Sequence, residues 1–276
     1  MNIYVTYSNE LYAKTRDFSA KMAKWLGRFD KVVVYTPVDI SDDFYKANAR
    51  ILETKSGAGL WLWKPYILLK ALKEEAQEED FVFYGDAGSF FIRNCRHIIK
   101  RMESDIWVSD ISLVERQYTK EYAFKRMGCE DAIYRNTPQV QANFICVRKS
   151  KESLDFVEEW LSLCCDFDLI SGNPEIPQVM NKPGFIEHRM DQSILSLLSK
   201  KRKIETHLDP SQYGRFPEKY HQPDRLKIFP EHQKEYPVCI ILHRTKNVDF
   251  RICFKQIMNV LLPKRMVKLL LSKNHA

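Results

Sequence analysis

The sequence predicts an α/β fold whose central sheet is at least partly parallel, and three stretches carry that expectation. Residues 2–7, Asn-Ile-Tyr-Val-Thr-Tyr, read as a core strand, and residues 31–35, Lys-Val-Val-Val-Tyr, read as a second. With a helical pattern between them, they make a βαβ opening, which closes with its strands parallel. Phe81, Val82, Phe83 and Tyr84 form an apolar run short enough for a fully buried strand, and it stops abruptly at Gly85, Asp86 and Gly88.

In open α/β sheets, ligands gather at the carboxyl ends of the strands. Thr6, Tyr7 and Ser8 lie at one such end and Asp86 at another. The glycines around Asp86 let backbone approach a bulky anionic ligand, and the carboxylate can bind a divalent cation through oxygen. That combination suits a metal-bridged diphosphate; an ordinary Gly-Asp turn has the same residues.

At 276 residues and 45% hydrophobic content, the chain has material for one large packed core. With 9 glycines, 12 prolines and no low-complexity tract, no linker is indicated. The expected organisation is one domain over 1–250 and a basic amphipathic helix over 251–276. The seven cysteines include no Cys-x-x-Cys pair, so neither a zinc site nor a disulfide framework is expected. The chain opens on a strand pattern without a basic or apolar leader, which points to a reducing cytoplasm. No uncharged apolar run reaches the ~20 residues of a membrane span. The net charge of +7 favours anionic partners without selecting one.

Taken in order, Ser8 and Asn9 are expected to cap a helix running to residue 26. Ser41, Asp42 and Asp43 start another, which carries Lys46 and Arg50 towards Gly57 and Gly59. Residues 59–65, Gly-Leu-Trp-Leu-Trp-Lys-Pro, lead into a helix ending near residue 75, with Pro65 in its first turn. Trp61 and Trp63 face the same way in that lead-in, as core or as a platform. Lys64 opposes the helix dipole there, which hints at an anionic ligand. Ser89 caps an expected helix bearing Phe91, Ile92, Ile98 and Ile99. Residues 106–109 form a short strand with Asp110 just past its end, and 115–127 a basic helix with a solvated face.

A strand over 141–147 and an amphipathic helix over 151–165 follow, then a Pro- and Gly-bearing loop over 171–186. That loop enters Glu187-His188-Arg189-Met190-Asp191-Gln192-Ser193 and an apolar helix, so Asp191 reads as a helix cap or as a catalytic acid. Residues 207–236 are expected to be an irregular loop over the site. The last strand, 237–243, ends at His243, followed by Arg244 and Lys246; His243 is a structural residue or a ligand. Residues 254–273 carry Lys255, Lys264, Arg265, Lys268 and Lys273 around Pro263, a pattern that lies on an anionic bilayer or packs on the core.

Three of these segments, residues 59–65, 84–88 (Tyr-Gly-Asp-Ala-Gly) and 188–196 (His-Arg-Met-Asp-Gln-Ser-Ile-Leu-Ser), together with the helical 118–124, carry a resemblance. In them the chain resembles bacterial glycosyltransferases of the GT-A fold, of the capsular polysaccharide and O-antigen type. The resemblance implies a GT-A-like, Rossmann-type sandwich with a mixed, mostly parallel sheet, a donor half near 1–110 and an acceptor half near 111–250. It implies a nucleotide-sugar donor, UDP-linked by analogy, and a glycan or lipid-linked oligosaccharide acceptor. The expected place is the cytoplasm, with peripheral contact at the cytoplasmic face of the inner membrane left open by the pattern of the C-terminal helix.

By the same resemblance Asp86 is the counterpart of a shortened Asp-x-Asp motif that holds Mn²⁺ or Mg²⁺ against the donor diphosphate, with His243 as a second ligand. Gly85 and Gly88 depart from the full motif. The expected donor-binding residues are Thr6, Tyr7, Ser8, Lys64, Asp86, Ala87, Gly88, Arg189 and Arg244. Trp61, Trp63, His188 and Gln192 are expected at the sugar or acceptor, and Asp191 is the expected base with Glu187 behind it. The chemistry itself asks for such a set. Cleaving a sugar–diphosphate bond leaves charge on the nucleoside diphosphate that cations must meet, and the acceptor hydroxyl needs a base.

Other classes fit less of the chain. A nucleotidyltransferase acting on a sugar phosphate needs a Gly-rich loop after the first strand, and residues 6–10 contain no glycine. A nucleic-acid module would cluster its basic residues, which here are spread. A non-catalytic carbohydrate-binding protein would keep the tryptophans without needing Asp86 and Asp191.

Overall fold

A computed structural model of the chain describes residues 1–172, 179–220, 223–230, 232, 235–243, 245–248 and 250–261. Its strands in order are β1 (Asn2–Tyr7), β2 (Lys31–Tyr35), β3 (Phe81–Gly85), β4 (Ser89–Phe91), β5 (Ile106–Val114), β6 (Pro138–Val140), β7 (Phe144–Arg148), β8 (Thr206–His207) and β9 (Ile240–Leu242). The main sheet has the order β2-β1-β3-β7-β5-β6, with β8 also on β5. β1 pairs parallel with both β2 and β3, placing Val5 between Val33 and Tyr84. β7 runs antiparallel to β3 and to β5, β6 antiparallel to β5, and β8 parallel to β5. Thus β1, β2, β3, β5 and β8 point one way and β6 and β7 the other, which is the mixed, mostly parallel sheet that the sequence predicts.

Both faces of this sheet are covered, and the period-two alternation of β1 shows how. Ile3, Val5 and Tyr7 face a large cluster with Ile67, Leu68, Phe156, Trp160 and Leu195, from the helices Trp63–Glu74, Lys151–Cys164 and Met190–Lys201. Tyr4 faces the other side, with Phe29, Phe83, Phe91 and Trp107. Phe83 meets four of those rings, Tyr4, Phe29, Phe91 and Trp107, so its truncation to alanine costs about 3–5 kcal/mol.

Several local expectations are corrected. Neither Ser8 nor Asn9 caps the first helix by its side chain; a 3₁₀ turn, Glu10–Tyr12, precedes the helix Ala13–Trp25. Ser41 does accept from the Phe44 amide at 3.4 Å, but that helix ends at Ala47. Ser89–Phe91 is the strand β4, paired antiparallel with β9, and the helix after it is confined to Arg96–Ile99. Phe90 and Phe91 bury in different clusters on opposite faces, and that period of two outweighs the capping chemistry of Ser89.

β5 continues to Val114, so Asp110 lies inside a strand, where its carboxylate accepts from Thr206 at 2.9 Å. Residues 115–127 form two short helices, Glu115–Tyr118 and Glu121–Arg126, and they are largely buried rather than a solvated face. The strand expected over 141–147 starts at Phe144. Residues 207–236 contain a short helix, Gln212–Arg215, and pack through Tyr213 and Tyr220 on Ile111, Leu113 and Tyr118.

The C-terminal helix spans Phe250–Leu261 and buries Cys253 and Val260 against Phe90 and Ile241. Pro263, Lys264, Arg265, Lys268 and Lys273 lie outside the described residues, as do Pro174, Pro177 and Arg244. Among the described residues no helix is long and apolar enough to cross a membrane. All seven cysteines are free.

Candidate active site

At the carboxyl ends of β1 and β3 a cavity of about 830 Å³ opens. Tyr7 and Ser8 bring β1 to its wall, and Asp86, Ala87 and Gly88 bring β3. Asp86 is set by its backbone, whose amide donates to Asn143 O at 3.0 Å and whose carbonyl accepts from the Ser89 amide at 3.0 Å. Gly85 is required for a different reason than ligand approach: a Cβ there would lie 2.6 Å from the Tyr4 hydroxyl.

A strained turn delivers the next group. Gly57, Ala58, Gly59, Leu60 and Trp61 all adopt positive φ, and a Cβ on Gly57 would fall 2.2 Å from the Trp61 ring. The Trp63 indole donates to Gly57 O at 3.0 Å and stacks on Tyr7 with ring centroids 4.1 Å apart. So pinned, the helix start aims Lys64 inward. Only 2% exposed, its ammonium donates to Ala142 O at 3.0 Å and lies 3.3 Å from both Asp86 Oδ1 and Asp191 Oδ2.

Asp191 comes from the first turn of Met190–Lys201, entered through Met190 at φ +43°. Its carbonyl accepts from the Trp160 indole at 3.1 Å. Burial raises the Asp191 carboxyl to about 6, against the pull of Lys64 and with the help of Asp86. For Lys64, burial acts to lower the pKa, but the Asp191 and Asp86 carboxylates outweigh it and the ammonium is held above its ordinary value. Tyr84 donates to Asp86 Oδ1 at 2.5 Å. The floor is therefore two carboxylates, from residues 86 and 191, gathered on one buried cation.

Other expected residues stand around this floor in different states. His188 borders the cavity, but both ring nitrogens are engaged: the Lys120 amide donates to Nδ1 at 3.3 Å, and Nε2 donates to Leu169 O at 3.0 Å. Burial, with Lys120 nearby, pushes its pKa down to about 3, so the ring is neutral. The Gln192 amide is similarly committed, to the Ala142 amide at 3.3 Å and Gln139 at 2.8 Å. Glu187 accepts from Arg189 Nε at 3.0 Å in a more exposed pair, and Arg189 lies over the Tyr118 ring at 4.6 Å.

Tyr7, Ser8, Trp61, Trp63, Lys64, Asp86, Ala87, Gly88, Glu187, His188, Arg189, Asp191 and Gln192 thus meet at one cavity. Thr6 is fully buried behind the wall, and from β9 and the segment after it the described lining residues are Leu242 and Lys246, not His243. Sequence reasoning missed Lys55, Ser56, Asn9 and Asn143, which also line it, and did not assign Lys246. The signal for Lys55 and Ser56 was their place beside the glycine turn. A second pocket, near Gln212 and Val260, holds about 80 Å³ and is too small for a nucleotide sugar.

The expected Mn²⁺ or Mg²⁺ finds a poor donor set. Asp86 Oδ1 already takes Tyr84 and Lys64. His243 directs Nδ1 to Thr245 at 2.7 Å and sets its ring beside Phe90, 6.0 Å between centroids, while its Nε2 is buried without a hydrogen-bond partner among the described residues. No three His, Cys, Asp or Glu side chains among the described residues gather as a metal-holding group. One unpartnered imidazole nitrogen, with Asp86 and Asp191 already paired to Lys64, is too small a donor set for the ion.

No protein-family model matches the chain, and no curated protein matches its sequence. Among solved structures it is similar to mouse xyloside xylosyltransferase 1 in its apo form, at 11% identity over 90% of this chain and 100% of that one, with a TM-score of 0.47. It is similar to the galactosyltransferase LgtC in complex with donor and acceptor sugar analogues, at 15% identity over 96% and 98% of the two chains, TM-score 0.43. It is also similar to apo-form glycosyltransferase GlyE of Streptococcus pneumoniae TIGR4, at 12% identity over 99% and 64%, TM-score 0.46.

Proposed function

We propose that the chain is a glycosyltransferase that moves a sugar from a nucleotide-diphosphate sugar, UDP-linked, to a hydroxyl of a glycan or lipid-linked glycan in surface polysaccharide assembly. The observation that carries this reading is the pair of carboxylates, Asp86 and Asp191, converging on Lys64 at the floor of a cavity of about 830 Å³. Cavities of ~300–1,000 Å³ with a few convergent polar groups suit small-molecule substrates. This one sits where open α/β sheets bind nucleotides.

In transfer, the bond between the anomeric carbon and the diphosphate oxygen breaks, and its electron pair leaves with the nucleoside diphosphate. The acceptor oxygen bonds to the anomeric carbon and gives its proton to Asp191, whose pKa of about 6 suits a base at neutral pH. Lys55, Lys246 and Arg189 on the cavity wall meet the charge that develops on the departing group. Trp61 offers a face for the sugar or base. No step is routed through a divalent ion. A lipid-linked acceptor is supported only by the basic composition of residues 262–276.

The test is a screen of nucleotide sugars for hydrolysis and for thermal stabilisation, repeated with Asp191→Asn. One donor is expected to stabilise both proteins and to be turned over by the native chain alone. A panel in which no nucleotide sugar shifts the melting temperature would overturn the proposal.

A further inference from the structure

We infer that Lys64 is the resident cation of this site: its ammonium fills the space between Asp86 and Asp191 that a divalent ion would need, so donor binding is independent of metal. The inference rests on the glycosyltransferase reading and adds how the diphosphate is held.

The Lys64 ammonium donates to Ala142 O at 3.0 Å and forms ion pairs with both carboxylates at 3.3 Å each. The Trp63 bond to Gly57 and its stack on Tyr7 hold the helix start from which Lys64 extends. A divalent ion entering beside it would set three positive charges against two carboxylates at the cavity floor, with Asp86 Oδ1 already accepting from Tyr84.

The charge balance also places the donor. Two carboxylates and one ammonium leave the ionised floor at net −1, which repels a diphosphate but accepts hydrogen bonds from sugar hydroxyls. Lys55 and Lys246 are exposed on the same cavity and form no ion pair among the described residues. The sugar ring therefore lies on Asp86 and Asp191, and the diphosphate lies at the mouth against Lys55 and Lys246.

Two titrations test this. Electron paramagnetic resonance of Mn²⁺ mixed with the full chain is expected to show no stoichiometric uptake, and calorimetry with UDP is expected to give the same Kd with Mn²⁺ as with EDTA. Lys64→Met leaves two carboxylates facing one another and is expected to gain Mn²⁺ affinity by about tenfold or more. Lys55→Ala with Lys246→Ala is expected to weaken UDP on the order of tenfold and flatten its salt dependence. Stoichiometric Mn²⁺ on the native chain that disappears in Asp86→Asn, or UDP that binds only with Mn²⁺, overturns the inference. Both of those readings use proteins that keep Lys64, so they decide even where Lys64→Met does not fold. The two readings fail separately: Mn²⁺ uptake by the native chain sinks the role of Lys64 whatever UDP does, whereas nucleotide sugars that bind under neither condition sink the transferase.

Discussion

Among the described residues two lysines are buried, and their surroundings differ. Lys64, on the cavity floor, faces two carboxylates and is held charged above its ordinary pKa. Lys120 lies under the loop that leads to Asp191 and faces backbone instead, donating to Asp168 O at 2.6 Å and Ser171 O at 2.5 Å. Burial pulls its pKa down to about 8, with Asp168 and Asp166 opposing weakly. Backbone dipoles tie a segment down, while paired carboxylates make a charge that a reaction can use. Buried ammonium groups thus serve architecture in one region and electrostatics in the other.

The largest effect comes from breaking the carboxylate side of that contrast. Asp191→Asn keeps the shape of the floor but removes the base, and turnover is expected to fall by roughly 10²–10⁴-fold while the UDP Kd is unchanged. Steady-state kinetics beside calorimetry measure both, and near-native turnover would remove Asp191 from the reaction.

Next comes the cation itself. The base works ionised, so native activity is expected to rise with pH through about 6, the value to which Asp191 is raised. Lys64 holds that carboxyl down against burial. Lys64→Met is therefore expected to move the rising limb of the pH–rate profile to higher pH, besides lowering turnover by on the order of 10²-fold. A limb that stays in place would separate Lys64 from Asp191.

Lys120→Met sharpens the contrast from the other side. Losing its bonds to the buried Ser171 carbonyl and the part-buried Asp168 carbonyl is expected to cost about 1–3 kcal/mol and lower the melting temperature, with the pH–rate profile unmoved. The sign with pH is also set. A lysine whose folded pKa is about 8, below its ordinary 10.5, binds fewer protons folded than unfolded, so native stability gains as pH rises between those values. Denaturant titrations at pH 7 and pH 10 should show that gain in the native chain and not in Lys120→Met.

The smallest effect is expected at the rim. Glu187→Gln breaks an ion pair whose Glu187 side chain is 52% exposed, and it should change stability by less than about 1 kcal/mol and turnover by only a few-fold. A loss as large as that of Asp191→Asn would make Glu187 the base instead.

The parts of the fold that were legible are those where neighbours in sequence carry the signal. β1, β2 and β3 announce themselves through short apolar runs, and the Gly85-Asp86 stop marks the strand end at the cavity. The parts that were not legible depend on distant partners. Residues 115–127 looked solvated because of their charges, yet Glu115 is buried with Lys200, Gln139 and Ser196, and Glu121 with Arg135 at 2.8 Å. β4 was hidden because the strand that pairs with it, β9, comes from the far end of the described chain.

The site followed the same rule. Lys64, Asp86 and Asp191 each stood out at a strand end or helix start, but their convergence is a property of the topology and no spacing encodes it. The hydrogen bonds that engage His188 and Gln192 were not legible, because their partners, Leu169 and Gln139, come from elsewhere in the chain.

A crystal of the native chain soaked with UDP in the presence of chelator examines the central claim most directly. Expected is a diphosphate in the cavity mouth within hydrogen-bond reach of Lys55 or Lys246, with the Lys64 ammonium still between Asp86 and Asp191. A diphosphate bound outside this cavity, or one that appears only when Mn²⁺ is added and sits on Asp86 through the metal, would contradict it.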